Sequence, residues 1–94
     1  MNYVATTIEA LRAQLPDNDG TDEDLLRAYA LLVHTTGTGT SLEHVHDAWA
    51  LWRAQTRPEH PDLLPFAQLS AQVADYDRPY RDAIRTVAAA LSGN

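Results

Sequence analysis

Apolar residues recur at three- and four-residue intervals along most of this chain, and no segment of useful length alternates with the two-residue period of a strand. Val4, Ile8, Leu11 and Leu15 share one face, which predicts a helix from Tyr3 to Gln14 that Pro16 ends. Pro16 to Gly20 is dense in turn formers and reads as an exposed loop. Thr21 is the expected N-cap of a second helix from Asp22 to His34, with Asp22, Glu23 and Asp24 at the positive end of its dipole. Leu25, Tyr29 and Leu32, with Leu26 and Val33 beside them, make that helix largely buried. Thr35 to Thr40 is poor in helix formers and holds two glycines, so it reads as a flexible link. Ser41 should cap a third helix ending near Thr56, whose seam of Leu42, Val45, Trp49 and Trp52 is the expected centre of the core.

Beyond it, Pro58 and Pro61 exclude regular helix or strand from Arg57 to Asp62. Leu63, Leu64, Phe66 and Leu69 give this connection apolar surface to pack down, with one turn of helix at Phe66 to Gln68. Ser70 can cap a short helix through Tyr76, and Asp77 followed by Pro79 marks a fresh helix start. Tyr80, Ile84, Val87 and Leu91 then line one face of a last helix. The fold class is all-α: a compact bundle of four to five helices with an ordered proline-bracketed turn before the last helices. Residues 1–94 form one domain, with a helical hairpin over 1–40 and a second segment over 41–94.

Length and composition sharpen this picture. A 94-residue chain has a thin core, and without cysteine neither disulfides nor thiolate metal ligands reinforce it. A partner subunit is one remedy, and an α1 face of Val4, Ile8 and Leu11 is a candidate surface for a homodimer. The start lacks a basic region followed by an apolar stretch, and no apolar run approaches the ~18 residues of a membrane span. The expected compartment is the cytoplasm. Net charge is −6 and all seven cations are arginine, which disfavours general nucleic-acid binding while leaving local arginine sites for one small anion.

The acidic loop Asp17-Asn18-Asp19-Gly20 invites comparison with a calcium loop, but setting Gly20 at the sixth position puts leucines, Leu15 and Leu26, at the first and twelfth. His44 and His46 stand about 200° apart around a helix axis, so one helix cannot use both on one ion. No metal or cofactor is implied. There is no cysteine and no glycine-flanked serine, and Asp75 and Asp77 are explained by a helix start, so the chain reads as non-enzymatic. Trp49 and Trp52 are core residues or a stacking surface for a ligand ring. Arg78, Arg81 and Arg85 share a helix face that suits an anion or another subunit's acidic surface, the alternative being a solvated face paired with Asp77 or Asp82.

Together, His46-Asp47-Ala48-Trp49, then His60-Pro61-Asp62-Leu63-Leu64-Pro65-Phe66, then Leu69 and Asp77-Arg78 resemble the RyR domain, the small helical repeat of ryanodine receptors that also occurs alone in bacterial and phage proteins. The first forty residues resemble the N-terminal part of small uncharacterised actinobacterial and actinophage proteins. Arg53 to Glu59 stands where that family usually has a Gly-Trp-x-x-Gly stretch. The resemblance implies nucleotide sensing in a regulatory or defence setting. On this reading His46, Trp49, Arg53, His60, Phe66 and Arg78 bind a small anionic or nucleotide-type ligand, while Trp52, Pro61, Leu63, Pro65, Leu69 and Asp77 form the framework. His60 is expected to bond a backbone carbonyl or Asp77, and Leu63 and Phe66 to pack on Trp49. The alternative is a helical interaction or adaptor protein working as a homodimer. A Trp49 in the core should cost ~3–5 kcal/mol on replacement by alanine, and a Trp49 exposed for a ligand under about 1 kcal/mol.

Overall fold

The computed structural model describes residues 2–16 and 21–93. Within them the chain forms α1 (Tyr3–Gln14), α2 (Glu23–Thr35), α3 (Leu42–Thr56), a five-residue α4 (Ala71–Asp75) and α5 (Arg78–Ser92), with single 3-10 turns at Gly37–Gly39 and Phe66–Gln68. No strand occurs among the described residues. The all-α class expected from the apolar period is therefore the class that folds. The acidic loop compared with a calcium site, Asp17 to Gly20, lies outside the described residues.

The helices α1, α2 and α3 each begin on a side chain that satisfies an orphan amide. Asn2 Oδ1 accepts from the Ala5 amide at 2.8 Å at the head of α1. Asp22, not Thr21, caps α2, accepting from the Asp24 amide at 2.8 Å. An aspartate is as good an acceptor as threonine and adds negative charge at the dipole's positive end, so the cap moves one residue along. Ser41 Oγ accepts from the His44 amide at 3.2 Å, and the Ser41 amide donates back to His44 Nδ1 at 3.0 Å. This is a capping box with an imidazole in place of the usual carboxylate or amide side chain. It gives His44 a structural task.

The link between α2 and α3 is not the flexible one the sequence suggested. Gly37 takes φ +56°, which a residue with a Cβ resists, and so starts a tight turn. The Gly39 amide donates to Thr36 O at 2.9 Å, and the Thr36 and Thr40 hydroxyls meet at 2.6 Å. Thr40 is completely buried, and its carbonyl accepts from Arg85 Nε at 2.7 Å. Threonine hydroxyls can close such a turn internally, a use that a helix-propensity reading does not register.

The core lies where α2 meets α1, α3 and α5. Leu11, Leu26, Tyr29, Val45 and Ile84 are its most enclosed side chains. Ile8 and Leu11 are buried in it, so α1 does not offer them as a dimer surface. Of the expected α3 seam only Val45 is fully buried; Leu42, Trp49 and Trp52 are half-buried. The reason is geometric: the C-terminal half of α3 is flanked by the irregular segment from Arg57 to Ser70, which covers large rings less closely than a packed helix does. No helix among the described residues is long and apolar enough to cross a membrane.

This division orders the energetics. Ile84→Ala, which empties a fully enclosed site, is expected to cost ~2–5 kcal/mol, whereas Trp49→Ala should fall in the range of ~1–3 kcal/mol because part of the ring already faces water. Urea denaturation of the two variants measures the order directly; a larger loss for Trp49 would place the core on α3.

Candidate functional site

The segment after α3 is folded onto it by one hydrogen bond from a buried histidine. His46 is 3% exposed, and its Nε2–H donates to the Leu64 carbonyl at 2.7 Å. A carbonyl can only accept, so the hydrogen of a neutral His46 sits on Nε2 and Nδ1 keeps its lone pair. The imidazole stacks on Trp49, with centroids 5.6 Å apart and planes at 28°, and meets Phe66 at 6.3 Å on another side. His60 completes the cluster edge-on to Trp49 at 5.1 Å. Its Nδ1 accepts from the Asp62 amide at 3.0 Å, so its bond is to the turn itself and not to a carbonyl or Asp77 as expected. That bond leaves Nε2–H of His60 as a donor.

Around these rings opens a cleft of about 270 Å³. His46, Trp49 and Arg53 of α3 form one wall, His60 and Asp62 of the turn a second, and Val73, Tyr76 and Asp77 of the α4–α5 junction the third. Four of the residues assigned to a ligand, His46, Trp49, Arg53 and His60, thus converge on one cavity. Phe66 stands behind His46 and supports it. Arg78 is not part of the lining: it is exposed, and its Nε donates to Asp75 at 2.8 Å. Arg81 likewise pairs with Asp82 and Arg85 holds Thr40, so the three arginines of α5 are each engaged separately and do not act as one anion-binding face. Of the framework residues, Leu63 and Leu69 are half-buried, Pro61 and Pro65 are exposed, and Trp52 holds the Arg53 guanidinium over its ring at 4.3 Å.

Asp77 has a different role from the capping one expected of it. It precedes α5 but makes no capping hydrogen bond, and it lines the cleft instead. Burial pushes its carboxyl up to about 6, with the nearby His46 pulling in the opposite direction. Arg53 supplies the complementary anomaly. Its Nε is buried and has no hydrogen-bond partner, while Nη1 reaches Thr56 Oγ1 at 3.3 Å. Among the described residues, no group of three or more histidine and acidic side chains is placed to hold a metal ion. Tyr76, Val73 and Asp62 were not singled out as site residues from the sequence. The short α4 brings the first two to the cleft, and nothing in the apolar period marks them.

Residues 2–89 match the family described as Domain of unknown function (DUF7701). The chain belongs to this family. No curated protein and no solved structure matches it. The match spans α1 to most of α5, so the cleft and the helices that build it lie wholly within the family's extent.

The state of Asp77 makes a measurable difference to stability. Burial pushes its carboxyl up to about 6 in the folded chain from the ordinary 3.8, so between these values the native state holds a proton that the unfolded chain has released. Stability contributed by this group therefore falls as pH rises through that interval. Asp77→Asn, which cannot ionise, is expected to exceed the wild type above about pH 6 by roughly 1 kcal/mol, allowing for solvent screening of a half-buried group, with the advantage gone near pH 4. Urea midpoints at the two pH values test this, and a pH-independent difference would contradict it.

Proposed function

We propose that this chain is a non-enzymatic recognition module that takes a small nucleotide-type ligand in the cleft beside His60 and Trp49. The observation that carries the reading is a pair of cavity-lining groups whose hydrogen-bonding capacity the fold leaves partly unused: Asp77 caps nothing, and Arg53 Nε–H has no acceptor. An unmet buried donor costs about 1–3 kcal/mol, a penalty that a ligand acceptor relieves. Trp49 and Tyr76 offer ring surface, His60 a fixed donor and Asp77 an acceptor for the edge of a base, while Arg53 suits a single anionic group. The cleft's size, just below the ~300–1,000 Å³ of small-molecule sites, favours a mononucleotide over anything larger. The resemblance of the second half to the RyR domain points the same way, towards nucleotide sensing in a bacterial or phage regulatory or defence setting.

Thermal denaturation with adenosine and guanosine mono-, di- and cyclic nucleotides is the test, since a ligand that binds only the native state raises the melting temperature. A rise for at least one mononucleotide, lost in Arg53→Met, is expected. A flat response across the panel at millimolar concentration would refute the assignment.

A second reading, a homodimer, is favoured by one specific surface. Leu31 and Leu51 are 61% and 69% exposed and line a groove between α2 and α3 with Leu32, Ala28 and Ala48. Arg27 and Asp47 lie on opposite sides of it, so a two-fold axis along the groove turns each Arg27 towards the partner's Asp47. Leu31→Arg is expected to convert a dimer to a monomer by sedimentation without lowering the melting temperature of the monomer. A wild-type mass of one chain at high concentration would dismiss the dimer.

A further inference from the structure

A second cleft, of about 400 Å³, adjoins the first and shares Trp49, Arg53, Tyr76 and Asp77 with it. Its remaining lining comes from the start of α2, from Trp52 and from Tyr80 near the head of α5. Both tryptophans and three of the four tyrosines of the chain border this one space. Tyr29 is almost wholly buried and backs Tyr80, their centroids 5.4 Å apart, while Trp49, Trp52, Tyr76 and Tyr80 all retain exposed surface. Among the described residues, the charges bordering it are two carboxylates, Asp22 and Asp77, against one guanidinium, Arg53.

Ring faces carry negative quadrupole density and attract cations that do not demand a full hydration shell. The cleft already displays this chemistry internally, because the Arg53 guanidinium carbon lies 4.3 Å from the Trp52 ring centroid. Carboxylates beside aromatic faces add to the same preference, and the chain's net charge of −6 does not oppose it. A bare divalent ion would need six or more oxygen ligands, and no cluster of three acidic or histidine side chains exists here among the described residues. An alkylated ammonium needs none, since its charge is spread over methyl groups that pack against rings.

We propose that the cleft bordered by Trp49, Trp52, Tyr76 and Tyr80, with Asp22 and Asp77 at its edge, binds an organic cation with an alkylated ammonium head of the size of choline's. Arg53 is the internal competitor for this site. The proposal is independent of the nucleotide-type reading, and the two make opposite demands on Arg53.

Because both tryptophans border the cleft, the intrinsic fluorescence of the whole chain reports on it. Choline chloride is titrated at ionic strength held constant with sodium chloride, beside dimethylbutanol, its uncharged carbon isostere. A saturable change with choline is expected, with the alcohol weaker by on the order of tenfold or more. Asp77→Asn should weaken choline binding by a similar factor, and Arg53→Met should strengthen it by removing a like charge and freeing the Trp52 face. The same Arg53→Met weakens a nucleotide. Equal responses to choline and the alcohol, a flat titration, or weaker choline binding in Arg53→Met would each overturn the proposal. Circular dichroism melts of the variants confirm that each is folded when titrated.

Discussion

The bond from His46 Nε2–H to the Leu64 carbonyl is the constraint on which the cleft-bearing half of this molecule depends. It spans eighteen residues and joins a regular helix to a segment that has little regular structure of its own. The donor is enclosed, held between Trp49 and Phe66, so water cannot replace the carbonyl if the bond is lost. An interaction in such surroundings is worth more than one at the surface, because an unmet partner there pays the whole desolvation cost. Through it the proline-bracketed turn is set against α3, and only then do His60, Asp62 and the α4–α5 junction face Trp49 and Arg53 across a gap.

Two kinds of packing therefore coexist. Around α2 the side chains are aliphatic and closely enclosed, and Leu11, Leu26 and Ile84 leave almost no surface to solvent. Around the end of α3 the side chains are large, flat and polar at one edge, and they leave space between them. Rings fill irregular space poorly, and cavities persist where their neighbours cannot close in. Trp49 and Trp52 accordingly sit at the clefts and not at the aliphatic centre.

The helices were legible because period and caps are local signals. Ser41 and Ser70 cap amides three residues on, and the starts of α3 and α4 follow from them, while α1 follows from its apolar period. His46, Trp49 and His60 stand in the RyR-like motif, and the cleft they line also takes in Arg53, which lies outside it. Three-dimensional choices were not legible. An aspartate before a helix usually caps it, and only the path of the chain around Tyr76 and Asp77 reveals that this one lines a cavity. The arginine spacing was read in part: Asp82, an expected partner of that face, does engage Arg81, but Arg78 turns to Asp75 and not to Asp77. The threonine-rich link misled for a related reason, since its order comes from Arg85, forty-five residues away.

That clasp between Arg85 and the Thr40 carbonyl has a consequence for how the chain acquires its shape. Ile84, Val87 and Ala88 complete the surface that α1 and α2 begin, so a growing polypeptide on the ribosome has both early helices available but nothing to seal them. The tryptophan-bearing segment is synthesised in the interval, before α5 exists. Its rings are then among the most adherent surfaces on an unfinished chain, and the emergence of α5, more than any earlier event, allows the structure to close.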